Sequence, residues 1–238
     1  MASLLPQAQA YGYALGMLLL DEVESHVPGD TAHAGTYPYP VLFEVVTGAS
    51  AARITNGDPT ATGAVVEAAA KLARMGVKGI TSNCGFMVCY QKAVASAVGV
   101  PVALSSLLQI PLACQAIGPD GRLGILTAFT SRLNQSVLAL AGLPAQQKIA
   151  IDSIEDTEDW ARLATHAIDE ARFGAHLLAR AKRMVASHPD VKAILLECAL
   201  YPPYAPLIQR ELGLPVWDFV SLVDHLYAVT HRRAPFHH

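Results

Sequence analysis

Charge is scarce in this chain. Asp, Glu, Lys and Arg supply 16% of its 238 residues, the net charge is −3, and no basic block occurs. Such a chain offers no electrostatic footprint for a nucleic-acid backbone. Long apolar runs are missing too: Leu15 to Leu20 is stopped by Asp21 and Glu22, far short of the roughly 20 residues that cross a bilayer. Its flanks also lack the basic leader of a signal peptide. Neither nucleic acid nor membrane is therefore expected as a partner. Cysteine is limited to Cys84, Cys89, Cys114 and Cys198, and without a secretory leader these are expected as reduced thiols in the cytoplasm. The spacing of Cys84 and Cys89, with no His pair beside them, is not that of a zinc site. His166 and His176 lie ten residues apart and His188 precedes Pro189, so no two of them share the i, i+4 face that holds a metal. No metal is expected.

Hydrophobic residues are abundant at 52%, much of it Ala, Val and Leu, as in α/β enzymes with buried parallel sheets. Short β-branched runs near 13–20, 41–47, 77–82, 100–104, 122–127, 147–151, 191–197 and 215–218 read as strands, with Ala-rich helical stretches between them. The chain also repeats itself. Val77-Lys78-Gly79-Ile80-Thr81-Ser82-Asn83-Cys84 matches Val191-Lys192-Ala193-Ile194-Leu195-Leu196-Glu197-Cys198 at an offset of 114, and Val98 to Val102 falls on Leu212 to Val216 without an insertion. Leu15-Gly16-Met17-Leu18 relates to Leu123-Gly124-Ile125-Leu126 at an offset of 108. VK and GVPV are common strand entries, but a register kept over about 26 residues, with Cys on Cys, indicates duplication. The expected fold is α/β: two pseudo-symmetric parallel-sheet lobes with the active site in the cleft between them. Residues 1–104 form the first lobe, completed by residues 217–238, and residues 105–216 form the second.

Cys84 and Cys198 each follow an apolar strand and precede a helical stretch, Gly85 to Ala97 or Pro202 to Leu212. Ligands of parallel α/β sheets bind at that edge, where helix N-termini present N–H groups that favour a thiolate. Lobes related by a pseudo-twofold axis bring two such thiols to opposite sides of one ligand. One thiolate then removes a proton next to a carboxylate and the other thiol returns one to the opposite face, with coupled titrations. Backbone donors around Asn83 to Phe86 and Cys198 to Leu200, with hydroxyls from Ser82, Thr127 and Thr130, are candidates to stabilise the developing charge. This chemistry needs no cofactor, neither metal nor pyridoxal phosphate. Cys89 and Cys114 lack repeat partners and read as core residues.

These residues resemble the aspartate/glutamate racemase superfamily, which includes glutamate, aspartate and hydantoin racemases, maleate isomerases and arylmalonate decarboxylases. Glu197-Cys198-Ala199-Leu200-Tyr201-Pro202 is similar to the Gly-Cys-Thr-His-Tyr-Pro signature of glutamate racemases, with Ala199 and Leu200 in place of Thr and His. In Ser82-Asn83-Cys84-Gly85-Phe86, Gly85 and Phe86 stand where those racemases carry Asn and Thr. Pro28 to Asp30, Tyr37 to Val41 and Ser105 to Gln109 are similar to a less characterised branch. The resemblance implies a cofactor-independent racemase, epimerase or isomerase of a small carboxylate, with Cys84 and Cys198 catalytic and dimers common. It also places an acidic residue, Asp21, near the site, a position that reads equally as a strand-end Asp capping a turn, and Ser82, Asn83, Gly85, Phe86, Thr127, Thr130, Ala199 and Leu200 around the substrate, with helix capping the alternative for one of the threonines. The loop 21–40 reads equally as a lid or a surface connection. A lyase, a decarboxylase or a maleate-type isomerase with one principal cysteine is the alternative, since Phe86 and Leu200 suit a less polar substrate. A degenerate carboxylate-binding protein is a third reading. A cysteine hydrolase would need a His base that neither motif supplies locally.

Overall fold

In the computed structural model, which describes residues 8–163 and 167–232, the strand pairing follows the repeat read from the sequence. The strands are β1 (Leu15–Leu19), β2 (Val41–Val45), β3 (Ile80–Ser82), β4 (Arg122–Thr127), β5 (Lys148–Ser153), β6 (Val191–Leu196) and β7 (Val216–Trp217). They form two parallel sheets, ordered β2-β1-β3 and β5-β4-β6-β7. Gly16 pairs with Ile80 and Gly124 with Ile194, each partner shifted by the offset of its own repeat. Ile80 bridges Val102 as Ile194 pairs with Val216, and the Ile80 and Ile194 N–H groups donate to Pro101 and Pro215 carbonyls at 2.9 Å in both lobes.

Helices cover the sheets through matched contacts. The helix Thr62–Arg74 buries Val65, Ala68, Ala69 and Leu72, an i, i+3, i+4, i+7 face. Leu72 reaches the first sheet because Gly16 has no side chain; a Cβ there would lie 2.9 Å from it. Gly124, the counterpart of Gly16, makes the same room for Met184 of the helix Glu170–Ser187, where a Cβ would come within 2.5 Å of Sδ. The last helix, Phe219–Thr230, starts at an Asp218–Ser221 capping box and packs Val223 and Leu226 against Leu15 and Met17 of β1. Tyr39 hydroxyl donates to Asp224 at 2.6 Å, tying the loop before β2 to that helix.

The stretch 100–104, expected as a strand, keeps only the bridge at Val102. Its outer side is satisfied by a side chain instead: Gln91 Nε2 donates to Val102 O and Leu104 N–H donates to Gln91 Oε1, both at 2.9 Å. The amide imitates a neighbouring strand and ends the sheet there. His166 lies outside the described residues, as do residues 233–238 of the expected C-terminal completion of the first lobe. Among the described residues no helix is long and apolar enough to cross a membrane. Replacing Gln91 by Leu leaves a carbonyl and an N–H unpaired, and should cost about 2 kcal/mol or more in urea unfolding. An unchanged midpoint would show that water replaces the amide.

Candidate active site

Each candidate cysteine is placed by the residue before it. Asn83 N–H donates to Leu18 O at 3.0 Å, and its side-chain Oδ1 accepts from Leu20 N–H at 2.9 Å. In the second lobe Glu197 N–H donates to Leu126 O at 2.8 Å, and Glu197 Oε2 accepts from Ala128 N–H at 2.9 Å. Leu18 and Leu126, Leu20 and Ala128, and Asn83 and Glu197 are repeat equivalents. Beyond them Met87 N–H closes a turn on Cys84 O, and Tyr201 N–H closes the equivalent turn on Cys198 O. Helices then start at Gln91 and Ala205, again 114 residues apart. The duplicated sequence thus builds one turn twice, and both thiols line a single cavity.

That cavity has a volume of about 80 Å³, several times the ~10–15 Å³ needed by one water. Its polar lining comprises Glu24, His26, Thr55, Asn83 and Glu197 beside the two cysteines. Its apolar wall includes Phe86, Phe129, Trp160 and Leu200. Phe129 and Trp160 meet edge to face with ring centroids 5.6 Å apart. No Lys or Arg is among the described lining residues. His26 Nδ1 lies 3.2 Å from Oδ2 of the buried Asp30, and this hydrogen bond raises the imidazole pKa against the opposing effect of burial. Burial raises the Glu24 carboxyl, which His26 partly offsets.

Glu197 is 1% exposed. Burial pushes its carboxyl up to about 7, although Ala128 N–H and the Thr127 hydroxyl, donating at 2.8 Å, favour the charged form. Both cysteines are pushed upward as well, first by burial and then by the Glu197 charge. Backbone N–H groups of Phe86 and Met87 at Cys84, and of Leu200 at Cys198, work the other way and do not prevail. The local donors were expected to favour thiolates, but desolvation and a neighbouring carboxylate outweigh them and favour the thiol form at both positions.

The structure gathers Asn83, Cys84, Gly85, Phe86, Cys198, Ala199 and Leu200 around the cavity. The remaining candidates lie elsewhere. Ser82 Oγ donates to Leu104 O at 2.5 Å and accepts from Cys84 N–H at 3.3 Å, so it shapes the turn. Thr127 gives its hydroxyl proton to Glu197 rather than to a ligand. Thr130 is bound to Glu155 through both N–H and hydroxyl. Asp21 is exposed and accepts from Gly48 N–H at 2.7 Å, because the chain turns outward after β1. The same loop instead brings Glu24 and His26 to the cavity. It is pinned to the Cys198 turn, where Thr31 N–H and hydroxyl both donate to Ala199 O. Sequence reading missed Glu24, His26, Phe129, Trp160 and Glu197. Only Glu197 left a local signal: an acid ending a six-residue apolar strand. All four cysteines are free; Cys114 is buried and Cys89 half-buried.

The raised Glu197 carboxyl has a stability signature. The folded state holds this proton more tightly than the unfolded chain does, so stability falls as pH rises from 4.5 to about 7. Above that range the penalty is fully present, of the order of 3 kcal/mol. Glu197→Gln keeps an acceptor for Ala128 N–H. It should raise the melting temperature relative to the unmodified chain at about pH 8 and give no gain near about pH 4. A gain of equal size at both pH values would contradict a charged, buried Glu197.

No family model matches the sequence. Among solved structures, unliganded arylmalonate decarboxylase matches with a TM-score of 0.62 at 19% identity, over 94% of this chain and 96% of that one. Allantoin racemase from Klebsiella pneumoniae matches with a TM-score of 0.64 at 17% identity, over 93% and 91%. Glutamate racemase from Bacillus anthracis gives 0.57 at 17%, over 88% and 77%. The fold is that of the aspartate/glutamate racemase superfamily. Among curated proteins, dimethylsulfoniopropionate lyase 5 of Emiliania huxleyi is 31% identical over 228 residues, 91% of this chain. The chain spans only 45% of that relative's length. Dimethylsulfoniopropionate lyase of Durusdinium sp. clade D is 30% identical over 219 residues, 89% of this chain and 73% of that protein. With that identity across most of both proteins, the chain belongs to the dimethylsulfoniopropionate lyase family.

Proposed function

We propose that the chain is a lyase that eliminates dimethyl sulfide from dimethylsulfoniopropionate, leaving acrylate. The observation that carries this reading is the cavity lining: two thiols, two carboxyl groups and a wall of aromatic and aliphatic side chains, with no Lys or Arg among its described residues. A dicarboxylate would meet Glu24 and Glu197 with no Lys or Arg in the described lining and with His26 already held by Asp30. An arylmalonate fits the aromatic wall but brings two negative charges, so the same acids disfavour decarboxylation. An onium group is the complement of this lining, because its cation suits the carboxylates and its methyl groups suit Trp160 and Leu200.

Elimination needs one base. A thiolate takes a proton from the carbon beside the substrate carboxylate. The C–H electron pair becomes the new carbon–carbon double bond, and the carbon–sulfur bond breaks with its electrons going to sulfur. The products are acrylate, neutral dimethyl sulfide and the proton now on the thiol. We assign the base to Cys84, which follows the neutral Asn83, whereas Cys198 follows the acidic Glu197. Cys198 then serves as a hydrogen-bond donor to the substrate on the opposite side. His26, part-exposed and held by Asp30, offers a route for the proton to solvent. This assigns the two cysteines unequal roles, unlike the stereoinversion expected from the resemblance.

Headspace gas chromatography for dimethyl sulfide and proton NMR for acrylate test the reading. Cys84→Ser should lower kcat by about 1,000-fold or more, and Cys198→Ser by about 10- to 100-fold. The proposal is overturned if the unmodified chain releases no dimethyl sulfide, or if both variants turn over at its rate.

A further inference from the structure

We propose that Asn83 and Glu197 give the cavity a fixed electrostatic direction, with the substrate carboxylate toward the Asn83 amide and the cationic sulfur toward the Glu197 carboxylate. Glu197 thereby selects for a cationic leaving group. The inference rests on the elimination reading above and names what determines specificity at that site.

The comparison between lobes separates what the fold needs at this position from what it does not. In both lobes the residue before the cysteine must supply one oxygen to a strand-end N–H, Leu20 in the first and Ala128 in the second. Asn83 meets that need with a neutral amide. Glu197 meets it with a carboxyl group that is 1% exposed, and burying such a charge without a cation is costly. The charge is therefore surplus to the turn. Two neighbours are adapted to it. Thr127 adds a second donor to Oε2, where the equivalent residue of the first lobe, Leu19, has no hydroxyl. Gly85, from the opposite lobe, clears space for Oε1: a Cβ at that position would stand 1.9 Å from it. Glu197 thus reaches across from the Cys198 turn to the Cys84 turn and lines the cavity between them.

A zwitterion placed in such a field has one favoured orientation. With its carboxylate at the amide and its onium at the carboxylate, the carbon that loses the proton lies between the two ends. Reversal sets anion against anion. The racemases of this fold work on a centre approached equivalently from two sides, whereas an elimination has a proton end and a leaving-group end. The difference between Asn and Glu at equivalent positions supplies that polarity.

The probes are β-alanine betaine, whose trimethylammonium group is a poor leaving group, and its isostere with an uncharged quaternary carbon in place of the nitrogen, which keeps the carboxylate. Calorimetry on the unmodified chain should show the betaine binding at least about 10-fold more tightly than the isostere. Glu197→Gln should remove that preference, chiefly by weakening the betaine. With dimethylsulfoniopropionate its KM should rise by a similar factor. The pH-dependent melting measurement described above reports whether this variant is folded. Equal affinity for the two probes in the unmodified chain overturns the inference whatever the variant does. A preference that survives Glu197→Gln overturns it too. If dimethyl sulfide is released while either result is found, only the orientation is wrong. If none is released while the cation preference is present and lost in the variant, the orientation stands and the elimination reading fails.

Discussion

A strand-end N–H with no strand left to pair with must find an acceptor, and in this protein the residue before each cysteine provides it. Asn83 Oδ1 takes the Leu20 N–H and Glu197 Oε2 takes the Ala128 N–H. An unpaired N–H at either point would cost about 1–3 kcal/mol. The bonds also do more than satisfy a donor. They fix the direction in which the chain leaves β3 and β6, and hence where Cys84 and Cys198 emerge. Ser82, which joins Leu104 O to Cys84 N–H, and Tyr201, whose hydroxyl donates to Thr127 O, brace the same turns from behind.

Because one turn serves both lobes, the scaffold is close to symmetric while the chemistry on it is not. The backbone register, the helix starts and the glycines that admit the covering helices all repeat. The side chains facing the cavity have diverged: Asn83 against Glu197, Gly85 against Ala199, Phe86 against Leu200. Duplication supplies two thiols to one cavity at no further structural cost. Divergence around them gives the site unlike ends, which suits a substrate with unlike ends.

The fold was largely legible because it depends on local periodicity and on a repeat. An offset of 114 residues located β3 and β6, their edge partners and both cysteines before any contact was known. The shortfall at 100–104 came from Gln91, a side chain acting as a strand, which no pattern of apolar residues records. The site was legible only along the two motifs. Thr127 and Thr130 were expected to face a ligand, but their hydroxyls are taken by Glu197 and Glu155, 70 and 25 residues away in sequence. Asp21 was the nearest acid to the end of β1, yet the path of the loop turned it to Gly48 and brought in Glu24. Thiol ionisation was judged from helix ends alone, and burial and Glu197 act through space.

The raised thiols also bear on the rate of the proposed chemistry. A cysteine whose proton affinity is raised by burial and by a neighbouring carboxylate is seldom ionised, but its thiolate is a stronger base when formed. That is useful against a weak carbon acid. The difficulty is forming it, and the described lining holds no Lys or Arg to help. In the proposed reaction a bound onium group would change the balance by bringing positive charge beside Glu197. With that carboxylate compensated, its upward push on both cysteines would weaken, and loss of a thiol proton would become easier. In a site arranged this way, the charge of the proposed substrate would itself promote the thiol ionisation that its cleavage needs.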